Sequence, residues 1–393
     1  MKMKRLFIFL CLMPLIFLLS CENVDLAEPA VSCSASNQSF NYDHATEIQN
    51  ILNRYAALGV PGVSIGVKTT TQEWAGAAGF AKIEDRIPMQ ICHLQYAQSL
   101  SKTYTAVLVM MLYEDGIIKL DAAIQDYLPA KISTRLRGSN KVTVRMLLNH
   151  TSGIFDYAYD YSYVTDLLSN QDKFYDYHRI LSYVYDKELR FEPGSKYEYC
   201  NTNYELLALI IDQVTGKDHG IMMAERIFKP AGLTQTSYRN KLNYLDNPNL
   251  VNCYLNRRSD NKIENVSRAQ VNNVKSMIGD DGLVATPLDY VHFLEALRQG
   301  RLVKKETLDV MYTWVNDDKG KPTYGLGIDY TFKKDKLGFG HSGGGLGAGC
   351  LLYYFPEKDV TLFLGVNLGV LIEGPYTKLV EQMEDEILIV ILR

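Results

Sequence analysis

The chain has 393 residues, of which 47% are hydrophobic and 22% are charged, and its formal net charge at pH 7 is −4. This length and apolar content are sufficient for a large core, and they favour two domains or one domain with a long insertion. The acidic balance gives no support to nucleic-acid binding.

The first 20 residues predict an export signal. A basic start precedes the apolar run 6–19, which is too short and too close to the terminus for a membrane-spanning helix. The run ends in Leu-Leu-Ser-Cys, which resembles the signal of bacterial lipoproteins, so we expect Cys21 to be lipidated and to become the mature N-terminus. A plain signal peptide with an incidental cysteine is the alternative. Residues 21–40 are polar and aperiodic, as a tether on a periplasm-facing membrane or the cell surface would be.

Strand-like segments lie at both ends of the remaining chain. The segments 63–67 and 74–81 follow an amphipathic helix, and strands return over 324–366 between turn residues. The pattern predicts an α+β fold, an α/β sandwich whose antiparallel sheet comes from both termini and is flanked by helices. The sheet is expected to use about 41–98 and 300–393, with a mainly helical domain inserted over about 99–299.

Residues 97–116 predict a buried helix with reactive groups in its first turn. Ser99 and Lys102 are three residues apart, so a helix places them on one face. A serine becomes a nucleophile when a neighbouring base takes its proton, and a lysine held in a desolvated pocket can be that base. A lone Ser-x-x-Lys also occurs at the start of ordinary helices, so the assignment depends on further motifs.

Two such motifs follow. Tyr199 and Asn201 precede a predicted helix, and His341-Ser342-Gly343 lies in a strand-like segment. Taken alone, the first pair is also typical of the turn before a helix, with asparagine as the cap, and the second is typical of a hairpin. Two other serines are weaker candidates for the nucleophile because neither has a lysine three residues later; they are Ser101 and Ser152.

The three motifs, in this order, resemble those of the penicillin-binding-protein-like serine hydrolases, which include class C β-lactamases, D-alanyl-D-alanine carboxypeptidases and related esterases. Ser99 and Lys102 match Ser-x-x-Lys, and Tyr199 and Asn201 match Tyr-x-Asn. His341 opens the third motif, which is Lys-Thr-Gly in β-lactamases and often His-x-Gly in the other relatives. The resemblance predicts a serine hydrolase domain over 41–370 and a closing helix over 371–393.

The resemblance assigns catalytic roles to three residues. Ser99 would attack an acyl carbonyl and form an acyl-enzyme. Either Lys102 or Tyr199 would be the general base, and the sequence leaves this choice open because the pair can titrate as a unit. Asn201 would hold the amide of the substrate or orient Lys102.

The third motif is expected to bind substrate through His341, Ser342, Gly343 and Gly344. By the family pattern, the backbone N–H groups of Ser99 and Gly344 would form the oxyanion hole. Because histidine titrates near pH 6.5 and carries no fixed charge, strong β-lactam turnover is less expected than peptidase or esterase activity. His150 is expected to be a structural residue that follows a strand.

The sequence therefore predicts a lipid-anchored serine hydrolase that acts on a small acyl or peptide substrate. A cell-wall peptide or amide, as for a D-alanyl-D-alanine carboxypeptidase, is the favoured class. An esterase or a β-lactamase of the same family is the first alternative, and a non-catalytic penicillin-binding or sensor protein is an alternative of another class. We expect no metal, no organic cofactor and no nucleic-acid partner, and we take a monomer as the default.

Overall fold

A computed structural model describes residues 29–31, 41–169, 175–258, 260 and 262–393. The predicted signal (1–20) and the anchor Cys21 lie outside these residues, as does most of the tether. None of the described helices combines the length and the apolar character that crossing a membrane requires. The α-helices of the described chain are α1 (Ala45–Leu58), α2 (Ser101–Glu114), α3 (Ala130–Ser133), α4 (Val144–Leu148), α5 (Tyr161–Ser169), α6 (Tyr177–Ser182), α7 (Thr202–Thr215), α8 (His219–Met223), α9 (Lys229–Ala231), α10 (Ser267–Ser276), α11 (Pro287–Arg298), α12 (Lys305–Met311) and α13 (Pro375–Ile391).

The largest sheet of the described chain has nine strands in the order β3-β2-β1-β14-β13-β12-β11-β10-β9, and its recorded pairs are antiparallel. Short strands form two smaller sheets within the helical part, β4-β8-β5 and β6-β7. The strands are β1 (Gly62–Thr69), β2 (Glu73–Lys82), β3 (Ile87–Pro88), β4 (Gln95–Tyr96), β5 (Thr236–Ser237), β6 (Tyr254–Leu255), β7 (Glu264–Asn265), β8 (Val284–Ala285), β9 (Val315–Asn316), β10 (Pro322–Tyr324), β11 (Asp329–Lys333), β12 (Lys336–Gly344), β13 (Gly349–Phe355) and β14 (Val360–Val366).

The two ends of the chain meet where β1 pairs with β14, with Val63 opposite Val366 and Thr69 opposite Val360. This pairing confirms the predicted α+β fold, in which one antiparallel sheet is built from both termini. Because side chains alternate along a strand, β1 directs Val63, Ile65 and Val67 to one face of the sheet, where all three are buried.

Helices cover both faces of this sheet. On one face, α1 and α13 pack together and bury Ile48, Leu52 and Ile387 against the strand residues. On the other face, α11 stacks Tyr290 on Phe363 of β14, with ring centroids 4.3 Å apart. A Cβ at Gly66 would lie 2.7 Å from the carbonyl oxygen of Pro287, so glycine is what lets α11 approach β1 this closely.

The centre of the helical part is α2, which is buried on nearly every side, as its apolar sequence predicts. The aromatic ring of Tyr104 in α2 stacks on that of Phe293 in α11, with 3.5 Å between the ring centroids. Two threonines satisfy their buried hydroxyls by donating to backbone carbonyls, Thr103 to Gly327 at 2.9 Å and Thr105 to Gly279 at 2.6 Å. The helix is thus fixed on several sides at once, which makes it a rigid support for groups at its N-terminus.

One local prediction is wrong. The segment before His150 is the helix α4 rather than a strand, because the Thr143 side chain accepts a hydrogen bond from Met146 N–H at 3.3 Å and caps the helix. The run of β-branched residues there had favoured a strand.

Candidate active site

Ser99 lies in a 3-10 turn, Gln98–Leu100, that leads directly into α2. The predicted single helix from residue 97 is therefore two segments, and Ser99 belongs to the tighter one. Gln98 has φ +50, a left-handed conformation that is uncommon for a residue with a Cβ. Ser99 is partly exposed while its neighbours Gln98 and Leu100 are buried. The turn thus presents the serine hydroxyl at the surface of an otherwise packed element.

Lys102 is a titratable partner of that hydroxyl. Its Nζ donates to Ser99 Oγ at 3.1 Å and to the backbone carbonyl of Asp280 at 3.0 Å, and it lies 4.0 Å from Asp280 Oδ2. Only 1% of its side chain is exposed. Burial lowers the pKa of Lys102, and the Asp280 carboxylate opposes that shift. A lysine in this setting can lose its proton and then accept one from Ser99.

Tyr199 brings the second motif to the same place. Lys102 Nζ lies 5.2 Å from the centroid of the Tyr199 ring. The phenol oxygen is buried, and burial raises the pKa of Tyr199 well above 10, while the neighbouring Ser99 hydroxyl opposes this shift. Tyr199 is therefore a neutral phenol at pH 7, a proton donor rather than a phenolate.

His150 holds the backbone next to Tyr199. Its Nδ1 accepts a hydrogen bond from Cys200 N–H at 3.1 Å, and its ring centroid lies 4.3 Å from that of Tyr199. Burial, with Lys102 nearby, lowers the pKa of His150 well below 6.5, so the imidazole is neutral. Its contacts are with the protein interior, and they fix the position of the tyrosine ring.

Asn201 makes a different contact from those expected. Its side-chain Nδ2 donates to Asp156 Oδ2 at 2.9 Å, and its backbone N–H donates to the same oxygen at 3.0 Å. Asp156 is buried, and burial raises its pKa. The aspartate therefore fixes the half-buried asparagine at the start of α7, and the amide oxygen is the part of Asn201 that remains for a substrate.

The third motif lies at the end of β12. There the strand still pairs with β13 but no longer with β11, so its β11 side is an open edge. Residues 341–344 pair with β13, as in Gly343 opposite Cys350 and Gly344 opposite Gly349, but they extend past the last pair with β11 at Gly340. The Ser342 side chain is exposed, and its backbone N–H donates to Asp329 Oδ2 at 3.3 Å. An edge of this kind can accept an extended peptide.

Gly343 brings this edge against the turn that carries Ser99. A Cβ at position 343 would lie 2.3 Å from the carbonyl oxygen of Ala97 and 2.9 Å from Gln98 Cβ. Cys350 Sγ, on the adjacent strand, donates to the same Ala97 oxygen at 3.1 Å. The lack of a side chain at Gly343 therefore sets the distance between the strand edge and the nucleophile.

His341 has internal partners for both ring nitrogens. Nδ1 lies 2.5 Å from the Ser342 carbonyl oxygen, and Nε2 lies 2.8 Å from the Tyr324 hydroxyl. The carbonyl can only accept, so Nδ1 carries the proton and Nε2 accepts from Tyr324. Burial lowers the pKa of His341 below 6.5, which agrees with a neutral ring. The fixed positive charge of a lysine at this position is thus replaced by a neutral group.

The three motifs converge on one site. Lys102 links the first motif to Tyr199, the ring centroids of Tyr199 and His341 lie 6.3 Å apart, and Gly343 touches the Ser99 turn. The sequence reasoning missed Asp280, Asp156 and Tyr324, which orient these groups from outside the motifs.

The β-lactamase family model matches residues 48–378. The chain belongs to the β-lactamase family. This confirms the resemblance drawn from the motifs, and the carboxypeptidase and amidase relatives described next are consistent with a serine hydrolase.

Relatives within the family include penicillin-binding protein 4* of Bacillus subtilis, 28% identical over 312 residues that cover 72% of this chain and 63% of that protein. The D-alanyl-D-alanine-carboxypeptidase/endopeptidase AmpH of Escherichia coli is 23% identical, with 86% of this chain and 90% of that protein covered. Three of the curated relatives are covered over only 44% to 63% of their length.

Among solved structures, the D-amino acid amidase of Ochrobactrum anthropi SV3 complexed with L-phenylalanine amide superposes with a TM-score of 0.77, at 26% identity. The match covers 89% of this chain and 99% of the amidase. A D-stereospecific amidohydrolase from Streptomyces sp. is also 26% identical, with a TM-score of 0.71 and coverage of 87% and 98%. Relatives whose names describe action on peptides or amides therefore share the fold of this chain.

Proposed function

We propose that the chain hydrolyses a peptide or amide of D-amino acids, such as a cell-wall stem peptide, through an acyl-enzyme on Ser99. The observation that carries the proposal is the hydrogen bond from a fully buried Lys102 Nζ to Ser99 Oγ at 3.1 Å. A non-catalytic binding protein has no need for a desolvated lysine against a serine hydroxyl, because burying such a group costs free energy.

In the proposed reaction, neutral Lys102 takes the proton of Ser99 while Oγ attacks the carbonyl carbon. The backbone N–H groups of Ser99 and Gly344 stabilise the oxyanion, a contribution worth about 10²–10³ in rate per donor. Tyr199, a neutral phenol, donates its proton to the leaving amine and regains one from protonated Lys102. Water then attacks the acyl-enzyme, and the same groups return Ser99 to its free state.

The neutral third motif supports a peptide or amide over a β-lactam. Both nitrogens of His341 are occupied by Tyr324 and Ser342, so this position offers no fixed cation to a substrate carboxylate. The open edge of β12 at residues 341–344 can instead pair with the backbone of an extended substrate. The amidase and carboxypeptidase relatives act on substrates of this kind by their names.

Intact-mass measurement on the full chain in detergent tests the proposal. We would incubate the wild type and Ser99→Ala with a fluorophosphonate, with a penicillin, and with peptides ending in D-Ala-D-Ala or D-phenylalanine amide. The expected result is phosphonylation of the wild type only, and release of the D-residue or ammonia only by the wild type. Turnover of a simple ester without either release would favour the esterase, and penicillin turnover lost in Ser99→Ala would favour a β-lactamase. A wild type that no reagent labels would refute the catalytic proposal.

We also propose that the chain is exported and anchored through a lipid on Cys21. The support is the sequence alone, a basic start, the apolar run 6–19 and the terminal Leu-Leu-Ser-Cys. Metabolic labelling with an alkyne fatty acid should mark the wild type and leave Cys21→Ala unlabelled. Equal labelling of both would refute the anchor.

A further inference from the structure

Two buried carboxyl groups meet beneath Lys102. Glu205 lies on α7 and is completely buried, and Asp280 follows α10 and is 2% exposed. One Glu205 oxygen, Oε1, accepts from Ile278 N–H at 2.9 Å. The other, Oε2, and Asp280 Oδ1 are buried and receive no hydrogen bond from an N–H or hydroxyl group of the described residues. The hydrogen bond from Ile278 N–H brings the Glu205 carboxyl group against the segment that carries Asp280, so the two carboxyl groups lie within interaction distance of each other.

Ionised carboxylates only accept hydrogen bonds, so two of them cannot bond to each other. Like charges held this close also repel, and one of the two groups keeps its proton. One carboxyl group is therefore protonated and donates to the other. The same proton accounts for both oxygens that otherwise lack a partner.

The surroundings show which group is ionised. Asp280 Oδ2 lies 4.0 Å from Lys102 Nζ and accepts from the Tyr157 hydroxyl at 2.6 Å. Glu205 has the Ile278 N–H and the more distant Arg239. Asp280 is therefore the carboxylate, and Glu205 is the acid; burial raises the pKa of Glu205 well above its usual range. Among the described residues, the titratable groups that face the pair or Lys102 are Lys102 itself, Asp156, Tyr157, Tyr163, Tyr199, Tyr204, Tyr238, Arg239, Asp281, His150 and His341.

We propose that Glu205 and Asp280 share one proton, and that this acid pair positions Lys102 and contributes a single negative charge to its surroundings. The inference rests on the proposed function for the role of Lys102 as the base. It adds Glu205 and Asp280 as positioning residues, which act on Ser99 only through the lysine.

The geometry explains why one charge is needed. With two carboxylates at this place, Lys102 would hold its proton too firmly to act as a base, and with none the lysine would have no counter-charge in the interior. Asp280 also accepts from Lys102 Nζ through its backbone carbonyl at 3.0 Å. A shift of Asp280 would therefore move Nζ away from Ser99 Oγ. The donor on Glu205 fixes the Asp280 side chain from the opposite side.

The test is the pH dependence of Ser99 phosphonylation in the full chain, because this reaction requires only the nucleophile and its base. Glu205→Gln keeps both contacts, since its Nε2 can donate to Asp280 and its Oε1 can accept from Ile278. We expect the midpoint of the acid limb to stay at the wild-type pH. Glu205→Leu removes the donor and should raise the midpoint by about one pH unit, and Asp280→Asn removes the charge and should lower it by about 1–3 units.

A matched control is Glu295→Gln. Glu295 is also buried, on α11, where it forms an ion pair with Arg298 at 2.5 Å. This variant should lose stability and leave the midpoint unchanged. The proposal is overturned when Glu205→Gln and Glu205→Leu move the midpoint equally, or when Asp280→Asn does not lower it.

Infrared spectra give a readout that depends neither on enzyme activity nor on whether the Glu205→Leu variant folds. The wild type minus Glu205→Gln spectrum in D2O at pH 7 should contain the carbonyl band of a protonated carboxylic acid. A carboxylate band in its place would refute the shared proton. When no variant is phosphonylated but the acid band is present, the proposed function fails and the acid pair stands.

Discussion

Replacing Gly343 by alanine should slow catalysis strongly and lower the stability of the fold only moderately. The new Cβ would lie 2.3 Å from Ala97 O, whereas ordinary van der Waals contacts begin near 3.4 Å, so one of the two backbones must move by about 1 Å. Ala97 is two residues before Ser99, and a misplacement of about 1 Å can cost on the order of 10² in rate. Overpacking of this kind also costs about 1–3 kcal/mol of stability.

The matched comparison is Gly344→Ala, one residue further along β12. Its Cβ would meet only the side chains of Val370 at 3.1 Å and Leu371 at 3.6 Å, which can rotate away. We would measure the second-order rate of phosphonylation and the urea midpoint for both variants. Gly343→Ala should be slower by about 10²-fold, and Gly344→Ala should lose much less. Equal rates in the two variants would show that the contact with Ala97 does not set the position of Ser99.

Three further predictions follow from the site. Lys102→Met should slow phosphonylation by about 10²–10⁴-fold at pH 8 while circular dichroism shows an intact fold; a smaller loss would move the role of base to another group. Tyr324→Phe should lower the free energy of unfolding by about 1–3 kcal/mol in urea titrations, because it leaves His341 Nε2 without its donor; an unchanged midpoint would refute that hydrogen bond. Burial raises the pKa of Asp281 from 3.8 to about 7, so between those pH values the folded chain holds a proton that the unfolded chain has lost. The free energy of unfolding should therefore fall with rising pH by about 1.4 kcal/mol per unit from this group, and Asp281→Asn should remove that slope in titrations at pH 5 and pH 7.

The sheet and the motif residues could be predicted because their signals are local. The alternation of apolar residues in β1 and the apolar run of β14 need only a short stretch of sequence to be visible, and so does the three-residue spacing of Ser99 and Lys102. The helix α4 was missed because its sequence favours a strand and its cap at Thr143 decides the outcome. The 3-10 turn at Ser99 was missed because the left-handed Gln98 is held by tertiary contacts with β12.

The supporting residues could not be predicted from the sequence, since they act across long separations. Asp280 is 178 residues from Lys102, and Tyr324 is 17 residues from His341. Nothing in the spacing of such pairs indicates contact. A buried acid such as Glu205 within an otherwise apolar helix is the sort of local conflict that marks a functional position, and its partner becomes visible only in the folded chain.

The electrostatics of the site connect these findings to substrate choice. Of the groups around Ser99, His150, His341 and Tyr199 are neutral at pH 7, so none of these three offers a positive charge to a substrate. An anionic substrate group near His341 would therefore meet no opposite charge, and Asp329, which lies beside Ser342, would repel it. A substrate that is neutral at this position, such as an amide or an internal peptide bond, avoids that cost. Amidated D-residues should consequently be better substrates than peptides with a free D-terminal carboxylate, which a direct comparison of kcat/KM for the two would decide.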